Sequence, residues 1–247
     1  MCSEDMTADQ IIDMPRFCKY AGHFAIMINM DMKTIIINGS PRKNGNCAKV
    51  SELFAAALEK EGIETEILQI GSMDISGCRG CWACAKTGRC VQEDAPFHEA
   101  AEKIYEADGL FIAAPVYYDS MPGRLKSFLD RLFFQDRGGG GLRRKVGAAC
   151  SVQRRTGGVA LLDDIYHFMI CAGMIIAPSE GESMVFGLEP GEVMADQEGL
   201  DILEGTARNM AWLMKMMETT KEMLPPPVLK KRAQTNFIRQ GGLCDDD

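Results

Sequence analysis

Thr34-Ile35-Ile36-Ile37-Asn38-Gly39-Ser40-Pro41-Arg42-Lys43-Asn44-Gly45-Asn46-Cys47 reads as a buried strand, a tight loop and the start of a helix. The β-branched run Thr34–Ile37 shows no polar alternation, which suits a parallel strand covered on both faces. Beyond the loop, Val50, Leu53, Phe54, Ala57 and Leu58 recur at helical spacing until Gly62 stops them. Unpaired N–H groups at such a helix start, backed by its dipole, favour an anion. Ser40 and Asn46 can donate side-chain hydrogen bonds, and Arg42 can add a charge-assisted one worth about 1.5–3 kcal/mol. Gly39 and Gly45 permit close backbone approach. The stretch is neither Gly-x-Gly-x-x-Gly nor a loop ending in Gly-Lys-Ser/Thr, so it predicts the phosphate of a mononucleotide. An ordinary Asn-Gly turn is the plain alternative.

Outward from this stretch, strand-like and helix-like segments alternate. Glu64 to Ile70 reads as an edge strand, and Gly109-Leu110-Phe111-Ile112-Ala113-Ala114 as a second buried one. Leu125, Phe128, Leu129, Leu132 and Phe133 mark a helix. Val146–Val152 and Met174–Ala177 read as further strands, with a helix over Leu161–Cys171 between them and a last helix from about Leu200 to Met217. This alternation predicts an α/β doubly wound domain with a five-stranded parallel sheet and helices on both faces, spanning residues 33–220. Residues 1–32 read as an N-terminal arm and 221–247 as a C-terminal tail after Pro225-Pro226-Pro227.

With 247 residues and 46% hydrophobic content, one substantial core is expected. A net charge of −8 argues against a nucleic-acid partner. The short basic clusters Arg143-Arg144-Lys145 and Lys230-Lys231-Arg232 read as solvated faces. No apolar run reaches the roughly 18 residues of a membrane span, and the first 32 residues do not resemble a signal peptide. The expectation is a cytoplasmic protein, where clustered thiols point to metal rather than disulfides.

Such a cluster is present. Cys78-x2-Cys81-x2-Cys84-x5-Cys90 gathers four of the ten cysteines within residues 78–90. Cysteines three apart in a curling loop suit an iron–sulfur cluster, whereas structural zinc more often uses two separated Cys-x2-Cys knuckles. A [4Fe–4S] cluster, zinc and free thiols all remain open. Trp82 either shields the site or packs in an exposed loop. Cys2, Cys18, Cys150, Cys171 and Cys244 are scattered and read as core or tail residues. His23, His98 and His167 read as packing or surface histidines.

Taken together, the loop 39–47, the four-cysteine run, and Ala114-Pro115-Val116-Tyr117-Tyr118-Asp119-Ser120-Met121-Pro122 followed by Leu125-Lys126-Ser127-Phe128-Leu129-Asp130-Arg131 resemble the iron–sulfur flavoprotein family. That family is a branch of the flavodoxin-like NAD(P)H-dependent FMN reductases, and the match spans roughly residues 33–185. The resemblance implies a sheet of order 2-1-3-4-5 with FMN at the switch point between strands one and three. By the same likeness Ser40, Arg42, Asn46 and Cys47, with Gly45 among them, would hold the phosphate. Pro115, Val116, Tyr117, Tyr118, Ser120 and Met121 would lie along the isoalloxazine. Ser151, Gly157 and Gly158 belong to a third flavin-contacting loop, in which Gln153-Arg154-Arg155 brings more charge and bulk than the family's small residues. That charge suits an anionic flavin or an acidic partner, or is simply solvated. Cys78, Cys81, Cys84 and Cys90 would be the cluster ligands. The family's cysteine loop reaches toward a neighbouring subunit's flavin, which implies a homodimer or homotetramer.

Three functions follow as expectations. The first is an oxidoreductase in which a [4Fe–4S] cluster passes single electrons to or from FMN, fed by a ferredoxin-like carrier. The second is an NAD(P)H-dependent FMN or quinone reductase with structural cysteines. The third is a non-enzymatic redox sensor. None requires an acid–base residue, because the cofactor supplies the chemistry.

Overall fold

The computed structural model describes residues 31–229. Most of the predicted N-terminal arm, the triplet Lys230-Lys231-Arg232, His23, Cys2, Cys18 and Cys244 lie outside the described residues.

Six parallel strands and six α-helices make up the described chain: β1 (Lys33–Asn38), α1 (Asn46–Lys60), β2 (Glu64–Leu68), α2 (Ala83–Thr87), α3 (Ala95–Glu106), β3 (Gly109–Pro115), α4 (Gly123–Gly139), β4 (Val146–Gln153), α5 (Gly158–Cys171), β5 (Ile175–Ile176), β6 (Met184–Phe186) and α6 (Gln197–Thr220). The order β2-β1-β3-β4-β5 is the one expected of a flavodoxin-like sheet. Ile35, Ile36 and Ile37 are all fully buried, as an unbroken apolar run in a central strand requires. Ile35 and Ile37 pack with α3, α4 and α5 in one core. On the opposite face, Phe54 of α1 stacks on Phe111 of β3, and Thr34 donates to the Met214 sulfur of α6.

Three elements, α2, α3 and β6, go beyond the sequence reading. β6 pairs with the C-terminal half of β4, Val152 opposite Val185, while β5 pairs with its beginning, Val146 opposite Ile175. The fifth position of the sheet is thus one interrupted edge. Three residues are too few to show a period, so pairing alone makes Met184–Phe186 a strand. Helix α3 carries its own signals, by contrast. Asp94 accepts from Phe97 N–H at its start, Pro96 sits in its first turn, and Phe97, Ala100, Ala101 and Ile104 form its buried face. α6 begins at Gln197, earlier than its apolar pattern suggests, because Asp196 caps Gly199 N–H at 3.1 Å and also accepts from Phe186 N–H at 2.7 Å. No helix among the described residues is long and apolar enough to cross a membrane.

Candidate functional site

Loop 39–45 leaves β1 beside β3, with Gly39 N–H donating to Ala113 O at 2.8 Å. Its turn is held from within and from the side. Asn38 Oδ1 accepts from Ser40 N–H at 3.0 Å, and Ser40 Oγ accepts from Arg42 N–H at 3.1 Å. Gln69 binds both ends of the turn, accepting from Asn38 Nδ2 at 2.7 Å and donating to Ser40 O at 2.5 Å. The Ser40 hydroxyl proton stays available. Among the described hydrogen bonds, the N–H groups of Lys43, Asn44, Asn46 and Cys47 have no acceptor. Gly45 N–H is turned back onto Arg42 O at 3.3 Å. With the exposed Arg42 beside them, these donors form an anion cradle at the start of a 15-residue helix. They fit a phosphate.

Two of the predicted grip residues act differently from expectation. The Cys47 thiol is 2% exposed, and burial, then the neighbouring Cys150, pushes its pKa up. What Cys47 presents at the loop is its N–H. Asn46 Oδ1 accepts from Gly191 N–H at 2.8 Å, so this side chain latches the loop after β6 to the start of α1.

The tyrosine loop, residues 115–121, leaves the end of β3. Val116 N–H donates to Val152 O, and Tyr117 and Ser120 pair through both backbone bonds. Tyr118 and Asp119 at the tip take positive φ, 48° and 60°, a conformation that costs non-glycine residues of order 1–3 kcal/mol each. Both tyrosines are exposed, whereas Met121 is buried at the base. Ser120 Oγ donates to Asp164 Oδ2 at 2.7 Å.

The third loop follows β4 and abuts the second. Gly157 has φ +88°, and a Cβ there would sit 2.6 Å from Asp119 Cα and 2.7 Å from Val116 Cγ1. Gln153 explains Gly158: its Oε1 would lie 1.8 Å from a Cβ at that position. The extra bulk of Gln153 therefore turns inward, while Arg154 and Arg155 are exposed. Ser151 is fully buried, with its hydroxyl donating to Gln153 Oε1 at 3.3 Å, so it stands behind the loop surface. A cleft of ≈ 520 Å3 opens beside this loop, lined by Asp119, Arg155, Gly157, Gly158 and Phe186 among others. The phosphate-loop residues do not line it.

All four cysteines of the run line one pocket, on α4 residues Arg131 and Phe134. Cys78 and Cys81 are exposed, Cys90 is half-buried and Cys84 is buried. Burial, followed by the neighbouring thiols Cys90, Cys78 and Cys81, raises the Cys84 pKa. Gly80 N–H donates to Cys78 Sγ at 3.5 Å, and Cys90 N–H is held by Gln135 Oε1 at 2.7 Å. Gly80, Trp82 and Gly88 all take positive φ as the loop curls. Trp82 is 55% exposed. It meets Phe134 edge-on at 4.9 Å, with Arg137 5.2 Å from its ring centre. The free space inside the pocket is only ≈ 10 Å3. Among the described residues, no group of three or more Cys, His, Asp or Glu stands ready for a single metal ion. The donor set nonetheless suits a sulfur-bridged cluster: four cysteines of one chain on one pocket, with Arg131, whose Nε–H is buried and unpaired, among its lining residues.

His98 belongs to neither site; buried, it pairs through Nε2 with Gln92 O at 3.0 Å. Sequence reasoning missed Gln69, Gly71, Arg131 and Gly138. Arg131 alone carried a signal, as the end of the motif 125–131.

A doubly wound sheet of order 2-1-3-4-5, with an anion cradle at the point where the order reverses, defines a flavodoxin-like protein. The family of NADPH-dependent FMN reductases matches residues 32–184. An iron–sulfur flavoprotein of Methanosarcina thermophila is 32% identical over 196 residues, covering 77% of this chain and 100% of its own. One from Methanocaldococcus jannaschii is 31% identical, covering 76% of this chain and 100% of its own. The fold also matches RosB, solved with 8-demethyl-8-formylriboflavin-5'-phosphate, at a TM-score of 0.60 and 19% identity over 84% of this chain and 94% of that one. The chain belongs to the iron–sulfur flavoprotein family within the NADPH-dependent FMN reductases. It is a flavin-dependent oxidoreductase that uses FMN.

Proposed function

We propose that this oxidoreductase carries a [4Fe–4S] cluster on Cys78, Cys81, Cys84 and Cys90 and exchanges single electrons between that cluster and FMN. The observation that carries the reading is the convergence of all four thiols on one pocket. FMN, when bound, supplies both two-electron and one-electron chemistry, while a cluster supplies only single electrons. The protein's own part is placement. The free N–H groups of Lys43, Asn44, Asn46 and Cys47, with Ser40 and Arg42, fix the phosphate end, and the loops at 115–121 and 153–158 flank the ring end. Pro115, Val116, Tyr117, Tyr118, Ser120, Met121, Gly157 and Gly158 keep their proposed flavin roles. Ser151 supports them from behind.

α4 links the two sites. It begins just after the tyrosine loop and carries Arg131, Phe134, Gln135 and Gly138 on the face toward the cysteine loop. At 1.5 Å per residue, the cysteine site lies roughly 12–22 Å along this helix from the flavin loop. That separation favours an assembly, a homodimer or homotetramer, in which one subunit's cysteine loop approaches another's flavin. A ferredoxin-like carrier fits the one-electron side. The cleft beside Gly157 favours a second reading, an NAD(P)H-dependent reductase of FMN or quinones with no cluster, because it leaves room for a further ring beside the flavin loops.

Anaerobic purification with an absorption spectrum and iron analysis separates the readings. Brown protein with about four irons per chain is expected; a yellow, iron-free flavoprotein rapidly bleached by NADPH would establish the second instead. The phosphate assignment has its own test. Arg42→Ala combined with Asn46→Ala is expected to weaken FMN binding by roughly 10-fold or more, because losing the Arg42 bond to a charged group costs about 1.5–3 kcal/mol and losing the Asn46 latch on Gly191 loosens the start of α1. Flavin fluorescence titration reads the affinity and circular dichroism the fold; unchanged affinity refutes the assignment. Arg42→Ala alone separates the phosphate contact from the Asn46 latch on Gly191.

A further inference from the structure

We propose that Arg131 is the charge-tuning residue of the cysteine site, acting on its reduction potential through a buried guanidinium; this rests on the cluster reading above. Arg131 is 1% exposed and heads the largest fully buried side chains among the described residues. Its guanidinium carbon lies 3.8 Å from the Phe97 ring centre, which covers one face. Nη1 donates to Asp94 Oδ2 at 2.6 Å and to Ser76 O at 3.4 Å, and Nη2 donates to Gln92 O at 3.3 Å. These contacts hold both flanks of the cysteine run, just before Cys78 and just after Cys90.

They leave one nitrogen without a partner. Among the described residues, Arg131 Nε is one of three buried side-chain polar atoms with no partner. Arginine lines the cysteine pocket, whereas its counter-charge Asp94 does not. The positive member of the pair is therefore the one that borders the cysteine pocket. A buried donor is costly to leave unmade, and a buried cation needs charge of the opposite sign. Asp94 already supplies that charge; thiolate sulfur on the pocket side would supply the missing acceptor. Hydrogen bonds and net charge around the sulfurs are the features through which a protein sets a cluster's potential.

Reduction adds one electron, taken from dithionite in the test below, with no bond made or broken. A fixed positive charge beside the sulfurs favours the more negative, reduced form. The experiment is an anaerobic dithionite titration of the full chain, followed by electron paramagnetic resonance, with iron and FMN contents measured alongside. Arg131→Gln is expected to disfavour the reduced form at least tenfold, which is 59 mV lower for one electron. Arg131→Lys should keep the charge and show a smaller drop. Asp94→Asn, which can still cap α3, should shift the equilibrium the other way. A merely structural role would not give shifts of opposite sign. Unmoved potentials, or shifts of one sign in both positions, overturn the inference and leave the cluster reading standing. If both arginine variants lose iron while retaining FMN, an unmoved Asp94→Asn also overturns it. Wild-type protein with FMN and no iron refutes the cluster reading itself and the inference with it.

Discussion

Gly71→Ala is expected to lose FMN. Gly71 follows β2, in the 3-10 turn Ile70–Ser72, and lies directly beneath the phosphate loop. A Cβ there would sit 2.2 Å from Gly39 O and 2.3 Å from the Ser40 carbonyl carbon. Both obstacles are backbone, so no rotamer change relieves the overlap, and the loop itself must retreat by about an ångström. Overpacking of this kind costs about 1–3 kcal/mol, which lowers the melting temperature of a domain this size by roughly 2–12 °C. The larger effect is on the ligand. The displaced residues carry the Ser40 hydroxyl and set the direction of the N–H groups after it, so FMN affinity should fall by roughly 100-fold or more, with several charge-assisted bonds weakened together. Thermal unfolding with and without added FMN, together with fluorescence titration, reads both quantities. Gly205→Ala is the control: on α6, with no atom within 4 Å of its added Cβ, it should stabilise slightly through helix propensity. Native FMN affinity in Gly71→Ala would rule out this role for the loop.

The second large effect falls on the other site. Gly138→Ala, near the end of α4, is expected to empty the cysteine loop of iron while FMN stays bound. An added Cβ would sit 2.1 Å from Cys84 O and 3.1 Å from Ala85 O. Cys84 is the buried member of the four, anchored by a contact from its sulfur to Phe134 O at 3.7 Å. Alanine therefore pushes α2, and the best-placed thiol with it, away from α4. The phosphate and tyrosine loops lie at the other end of that helix and keep their contacts. Iron per chain, measured without oxygen, should drop well below the wild-type value with FMN per chain unchanged. Retained iron would show that Cys84 is not held against α4 as a ligand; loss of both cofactors would show that the two sites are not structurally separate.

Much of this was legible from residue order alone, for a local reason. β1, its loop and α1 are written in contiguous residues: a β-branched run, glycines with Pro41 between them, then a helical period. The cysteine spacing is equally local, so its four candidate ligands stand out in the sequence itself. β6 was not legible, because Met184–Phe186 is a strand only by virtue of pairing with β4. α3 could have been read from Asp94, Pro96 and its buried period.

The sequence by itself therefore determined the alternation of strands and helices, the anion loop, the four-thiol run and the family. Tertiary structure decided what each loop rests on. Gln69 reaches across 29 residues to Ser40, Arg131 across 55 to Ser76, and Gly138 faces Cys84 because α2 packs on α4. It also turned Cys47 into the core and gave Asn46 to Gly191. Backbone propensity and side-chain period act within a turn or two of chain and leave their mark in residue order. The neighbour that makes a glycine indispensable or leaves a guanidinium proton unpaired is brought there only by the packing of distant segments.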